Sequence, residues 1–363
     1  AQYLLVSELS RQILPDGGHA SRNASVLADI VLDLLPLGQC FHARGHVPPE
    51  EFAYTVKNAL AFLHFMRMGN GMLARFNGVG VGSPATIATV LGYADGEFAA
   101  HDEMEYSGYA RLERGQSILI ADVGSPPPIE LATQAQAGCL SFELSIGSQM
   151  LLVNGGTPGP ADDDWLAVSR ATASHNTLCL AETSSARLVR HEKLEAIAGG
   201  LPIRGPDLAL VRLTREEDAM VLAAGHDGYL KRFGLMHNRR VSLSGDGLLL
   251  VGIDRLEPPN GKLRLKQDVT YSIHFHLHPD CSVIGDEDDS GTCLIAMRDG
   301  KTFTFASTGA ELTIEESLFF SESSGPRPGF QIVLRGVTIG DTEVHWSFNG
   351  RPEEMRPDGP KPE

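Results

Sequence analysis

Ser169-Arg-Ala-Thr-Ala-Ser-His-Asn-Thr-Leu-Cys-Leu180 joins a polar loop to a short apolar run and places His175-Asn176 at the junction. The run from Asn176 to Leu180 has the length and composition of a buried strand. A histidine at that junction is largely neutral near physiological pH, so it can bind a metal or move a proton. On both sides of this stretch the segments are short and the apolar period is two. Strand-like runs fall at 117–122, 140–144, 150–154, 176–180, 208–213, 220–223, 248–254, 271–277, 293–297, 302–306 and 331–335. Turn signals separate them, among them Ser244-Gly-Asp-Gly247, Pro258-Pro-Asn-Gly261 and Asp299-Gly300. Many short strands without helices between them predict an antiparallel sandwich and not a parallel sheet.

Before about residue 100 the period is helical. Leu5, Leu9 and Ile13 recur every four residues, and Pro15-Asp16-Gly17-Gly18 stops the run. Val26, Ile30 and Leu34 form a second stripe. Pro48-Pro49-Glu50-Glu51 starts a third helix, with its acids at the positive end of the dipole, and Phe52, Val56, Leu60 and Leu63 continue it. Residues 68–84 read as a Gly-rich loop and 86–93 as a last short helix. The expected fold is therefore α+β and multidomain. Antiparallel helix pairs occupy 1–100, a large antiparallel β-sandwich occupies 101–350, and 351–363 is a loose, Pro-rich, charged tail.

The chain has 363 residues, enough for two domains with sizeable cores. Its formal net charge of -16 argues against nucleic acid as a partner. An acidic protein can still hold a local basic cleft, for which Arg22, Arg75, Arg239 and Arg240 are candidates. Cys40, Cys139, Cys179, Cys281 and Cys293 are odd in number, widely spaced and mostly within apolar runs, so they read as buried thiols. No apolar stretch reads as long enough to span a bilayer. The opening Ala-Gln-Tyr-Leu-Leu lacks Met and a signal peptide and already reads as helix, so the chain is expected to start inside a larger protein or after processing.

Several polar clusters are candidates for chemistry. In Leu14-Pro-Asp-Gly-Gly-His-Ala-Ser-Arg-Asn23, His19, Arg22 and Asn23 can present a base, a cation and an amide; equally, Asp16 and the glycines make a turn and Asn23 caps the next helix. Gln136, Asn154 and His175 sit at the ends of three strand-like runs and can converge. Amides are weak metal ligands, so that trio is either a degraded metal site or a hydrogen-bonded polar cluster. In Tyr271-Ser-Ile-His-Phe-His-Leu-His-Pro279 the apolar residues face one side and His274, His276 and His278 the other. Those histidines can chelate, line a solvent face or line a sugar groove. Tyr106, Tyr109 and Tyr229 are sugar platforms, acid/base phenols or packing residues. Met236-His-Asn-Arg-Arg240 can grip a carboxylate or end a solvated strand. Asp16 and Glu143 are the carboxylates a glycoside hydrolase would need, but nothing in their spacing argues for that role.

In order and spacing, Asp16-Gly-Gly-His19, Gly138-Cys-Leu-Ser-Phe-Glu143, Val153-Asn-Gly-Gly156, His175-Asn-Thr177 and His237-Asn-Arg-Arg240 resemble the heparinase II/III-like polysaccharide lyases over nearly the whole chain. The resemblance implies a partial α/α toroid packed on a β-sandwich, and β-elimination of a bacterial, uronic-acid-containing polysaccharide or oligosaccharide. That chemistry needs the uronate carboxylate neutralised, a base for the C5 proton and an acid for the leaving oxygen. It implies His19 or His175 as base, Tyr109 as acid, and Arg22, Asn23, Asn77, Asn176 and Arg239 as substrate-binding groups. It also implies a zinc ion near His175, Asn154 and Gln136, a periplasmic location, and a preceding segment of the same protein that completes the fold. The chain departs from the family in four places. The Asn-His pair that many members carry on an earlier toroid helix is not visible and would lie before Ala1. Gln134 and Gln136 replace a His-rich lead-in, Asn154 replaces an Asp, and His19 stands nearest to the place of a Tyr. Those departures raise a competing expectation, a non-catalytic glycan-binding protein on the same scaffold.

Overall fold

The computed structural model describes residues 2–94, 98–159, 163–259, 261, 265, 267–286 and 288–351. Four helices come first: α1 (Gln2–Gln12), α2 (Ala24–Ala43), α3 (Glu50–Phe65) and α4 (Pro84–Leu91). Asn23 caps α2 by accepting from the Ser25 and Val26 amides, and Ser83 caps α4 ahead of Pro84. α1 is shorter than the expected helix because Ile13 pairs with His19 in a β-bridge.

A first sheet follows in chain order, β1 (Glu103–Met104), β2 (Tyr109–Arg114), β3 (Ser117–Asp122), β4 (Phe142–Ile146) and β5 (Gln149–Leu152). Then come α5 (Asp163–Ser169), β6 (Leu178–Leu180), β7 (Arg187–Leu188), α6 (Glu192–Ala198) and β8 (Ile203–Arg204). β9 (Leu208–Arg215) and β10 (Ala219–His226) precede α7 (Leu230–Phe233). The chain continues through β11 (Met236–Ser244), β12 (Leu249–Glu257), β13 (Val269–His276), β14 (Ser282–Gly285), β15 (Thr292–Ala296), β16 (Thr302–Thr308), β17 (Glu311–Phe319), β18 (Arg327–Thr338) and β19 (Thr342–Gly350). The large sheet has the order β14-β15-β16-β19-β12-β11-β10-β9, and a third sheet has the order β17-β18-β13-β6. Every pairing in these sheets is antiparallel.

The first sheet is a middle layer. Tyr109, Ile120 and Met150 on one face pack with Leu27, Val31, Leu60, Phe62 and Val90 of the helices. Ala110, Leu112, Leu119 and Ala121 on the other face join the core shared by the larger sheets. That is why β3 has no exposed residue and reads as an unbroken apolar run. In the shared core Phe275 of the third sheet meets Trp346 and Phe348 of the large sheet at ring-centroid distances of 4.8 and 5.5 Å. Phe142 of the first sheet stacks on Trp346 at 5.7 Å. Each such ring, fully buried, contributes roughly 1.5–3 kcal/mol.

The antiparallel, sandwich-like architecture agrees with the sequence reading, and four details correct it. Three short helices, α5 to α7, lie between strands. His274 and His276 do not line a solvent face: the ring nitrogens of His276 meet Ser317 Oγ at 2.7 Å and Ala173 O at 2.9 Å, and His274 meets Gln331. Cys40 is exposed, unlike the other four cysteines. Finally, α2 is apolar enough, by length and composition alone, to cross a bilayer (mean hydropathy 1.5). Here it buries Leu27, Ala28, Val31 and Leu34 against its neighbours. Of the expected tail, only Arg351 lies within the described residues.

Candidate functional site

The turn before α2 carries the first candidates. Asp16 folds it by accepting from the Ser107 amide and hydroxyl, both at 2.7 Å. His19 follows, 6 % exposed, with Nδ1 taken by the Ser21 amide and hydroxyl. Arg22 has a left-handed backbone (φ 60°), which turns its side chain inward. Its guanidinium donates to the carbonyls of Ser107, Gly108, Gly124 and Ser125 and to Asp122 Oδ1 at 2.5 Å. Burial opposes its charge, yet the Asp122 carboxylate holds its pKa above the ordinary arginine value. Tyr109 OH donates to Arg22 O at 2.6 Å and accepts from Asn77 Nδ2 at 2.9 Å. Burial, reinforced by Asp122, pushes that phenol above its usual pKa. Asn77, also left-handed (φ 51°), donates in addition to Asp122 Oδ2. Asn23 Nδ2 donates to Gln134 Oε1 while its oxygen caps α2.

The His-Asn-Thr segment is a second junction. Asn176 Nδ2 donates to Phe142 O in the first sheet at 2.8 Å, and Asn176 Oδ1 accepts from His276 N in the third sheet at 2.6 Å. Its carbonyl accepts from Arg239 Nη1 in the large sheet at 2.5 Å. One residue thus ties three sheets together. His175 donates from Nδ1 to Ala171 O at 2.8 Å, which leaves Nε2 as the lone-pair nitrogen. Nε2 is buried and finds no partner among the described residues. Burial lowers the His175 pKa to about 4, so the ring is neutral at pH 7.

Arg239 does grip a carboxylate, but an internal one. Its Nε and Nη2 hold both oxygens of Asp254 at 2.8 and 2.9 Å, and the same carboxylate takes His237 Nε2 at 2.7 Å and Trp346 Nε1 at 2.8 Å. Although burial works against it, Arg239 and His237 keep Asp254 well below the usual carboxylate range. His237 Nδ1 meets His226 Nε2 at 3.2 Å. The cluster is wholly buried, which makes it a brace of the sandwich and not a ligand grip.

The polar groups of the expected zinc ligands are turned to amide hydrogen bonding. Asn154 accepts from Asn176 N at 3.0 Å and donates to Arg75 O at 3.4 Å. Gln136 Nε2 donates to the carbonyls of Gly156 and Ser169, each at 3.2 Å. With one imidazole and two amides the donor set does not fit zinc, and among the described residues no group of three His, Cys, Asp or Glu is placed to hold a metal.

Sequence reading missed Asp122, Asp254 and Ser321. A charged residue inside or closing an apolar strand, as Asp254 and Asp122 do, was the available signal. Ser321 gave none. Beside the Arg22 network lies a cavity of about 570 Å³ lined by Glu103, Glu105, Tyr106, Ser107 and Ser125, with Arg22 in its wall.

The chain thus sets a helical layer on an antiparallel sandwich and ties its sheets at the His-Asn-Thr junction. The model of the Heparinase II/III-like, C-terminal family matches residues 99–347, and the chain belongs to that family. Among curated proteins it is 30 % identical over 283 residues to FtsZ-localized protein C of Caulobacter vibrioides, covering 76 % of this chain and 48 % of that one. Among solved structures it is similar to the heparan sulfate lyase HepC from Pedobacter heparinus (TM-score 0.74, 16 % identity, 98 % of this chain and 56 % of that one). It is also similar to a heparinase III (TM-score 0.74, 13 % identity, 96 % and 56 %). At those identities the likeness is one of fold. The chain spans about half the length of these proteins.

Proposed function

We propose that this chain serves the recognition of an acidic polysaccharide or oligosaccharide without cleaving it, as a non-catalytic member of the lyase scaffold. Recognition rests on the family scaffold, and one observation carries the absence of cleavage: Tyr109, Arg22, Asn77, Asn176 and Arg239 are buried, with their polar groups spent on protein partners. A general acid or a carboxylate-neutralising group must instead reach the substrate. We place α1 to α4 in an incomplete α/α toroid, which a preceding segment of the same protein completes. The test is binding of uronate polymers by the full-length protein, with the ultraviolet absorbance of a C4–C5 unsaturated uronate followed in parallel. Saturable binding without absorbance supports recognition.

A second reading, β-elimination of a uronate polymer, is favoured by His175. Its neutral Nε2 has a free lone pair, which is what a base for the C5 proton requires, and this reading needs the turn to open, because Nε2 is buried against Gly138. In that case absorbance rises with one polymer and is lost in His175→Ala.

A further inference from the structure

Around Gly155-Gly156 and the neighbouring His175 turn several buried polar atoms find no hydrogen-bond partner among the described residues: Arg75 Nε and Nη1, Gln136 Oε1, His175 Nε2 and Ser321 Oγ. Three of these side chains crowd Gly156. A Cβ built there lies 1.8 Å from Ser321 Oγ and 3.3 Å from Arg75 Cδ, and the Gly156 carbonyl accepts from Gln136. Its φ of 74° also favours glycine. The unpartnered atoms are a mixture. Arg75 offers only donors, Ser321 offers either role, and Gln136 Oε1 and His175 Nε2 offer only acceptors. A metal cation satisfies acceptors alone, and the guanidinium beside it repels it. Water satisfies both kinds. His175 Nε2 also faces the Gly138 backbone closely, since a Cβ on Gly138 would stand 3.1 Å away.

The charge is already balanced without a metal. Glu143 is fully buried, accepts from the backbone amides of Arg75 and Asn154 at 3.1 and 2.9 Å, and has Arg75 Nη1 at 3.7 Å. Asn154 uses both ends of its amide. An aspartate there would set a carboxylate oxygen against the Arg75 carbonyl, where the Asn154 amide now donates. Gln136 likewise turns its amide nitrogen toward Gly156 O, Thr157 Oγ1 and Ser169 O.

We infer that, where the family's zinc ligands would stand, this chain builds a metal-free, hydrated guanidinium–amide clamp. Asn154 acts as a two-sided hydrogen-bond bridge, Gln136 donates from its amide nitrogen and turns its oxygen to the hydrated side, and Arg75 supplies the fixed positive charge. The clamp pins the Gly155-Gly156 segment to the turn that carries His175, and it stands whether or not a glycan binds.

The test uses zinc alone as probe. The full-length protein is dialysed against zinc and then against buffer, its metal content measured, and its melting followed with added zinc and with chelator. The clamp predicts substoichiometric zinc and a melting temperature that neither additive moves. A full equivalent of zinc whose removal lowers the melting temperature overturns it. Asn154→Asp gives opposite signs for the two cases. The clamp predicts a fall of roughly 5 °C that zinc does not restore, whereas a latent metal site gains a better ligand, binds zinc and melts higher in its presence. If Asn154→Asp does not fold, Gln136→Glu reads out the same contrast, and the wild-type measurement decides by itself.

Discussion

Asn176→Ala removes the residue that ties the three sheets. The side chain is fully buried and makes two hydrogen bonds, to Phe142 O at 2.8 Å and from His276 N at 2.6 Å. Alanine takes the donor from the Phe142 carbonyl and leaves the His276 amide without an acceptor, deep between sheets where water cannot replace either. An unsatisfied buried group costs about 1–3 kcal/mol, so the pair amounts to about 4 kcal/mol. At roughly 2 °C per kcal/mol the melting temperature falls by about 8 °C. Chemical unfolding followed by circular dichroism, with calorimetry alongside, measures it. Asn176→Asp should cost at least as much, because it keeps the acceptor, loses the donor and buries a charge. If Asn176→Ala stays within about 0.5 kcal/mol of wild type, the junction is not structural and the reasoning fails. A residue that only contacted substrate would behave in that way.

Acid should weaken the protein in two windows. The His175 pKa lies near 4, below its ordinary 6.5, because burial disfavours the charged ring. The unfolded chain then binds a proton that the folded chain does not, so stability falls as pH drops from about 6.5 to about 4, by about 3 kcal/mol for this residue. His175→Gln should remove that share of the slope in unfolding curves measured across the range, while His226, His237, His274, His276 and His278, lowered by burial too, keep the rest. Asp254 is shifted down despite burial, held by Arg239 and His237, so its contribution is present above the unfolded carboxylate pKa and is lost as pH falls below about 4. Arg239→Met leaves Asp254 buried without its bidentate partner and should cost about 3–5 kcal/mol in the same measurements, with no dependence on added glycan. Arg22→Met should likewise lower stability by about 3 kcal/mol or more, since it unpairs Asp122 and four carbonyls; an unchanged melting temperature with lost glycan affinity would place Arg22 at the ligand instead.

Much of the fold was legible because burial writes a period into the chain. β3 matches its expected span residue for residue, since a strand buried on both faces is an unbroken apolar run. Tyr271, Ile273 and Phe275 face the shared core as their alternation requires. β11, β14, β17 and β19 were absent from the expected runs. β17 carries three glutamates and buries only Phe319, and β19 is interrupted by His345 and Asn349 on its outward face. A wet face keeps the alternation but lowers the apolar density by which a run stands out. The polar clusters were legible as positions but not as roles. Asn23 is a cap, as one of its two readings had it. Arg239, by contrast, looked available to a ligand because its partner Asp254 lies on the next strand, and that pairing is set by sheet register alone. Arg22 and Asn77 were named without their left-handed backbones, which turn them inward and which one sequence does not announce for residues other than glycine.

Recognition without cleavage is tested most directly on the full-length protein with heparan sulfate, hyaluronan, alginate and bacterial exopolysaccharides. Binding and unsaturated-uronate absorbance are read from the same samples. The account predicts saturable binding to at least one acidic polymer and a flat absorbance trace with all of them. A rise in absorbance that His175→Ala abolishes while the variant still folds would contradict it and establish a lyase.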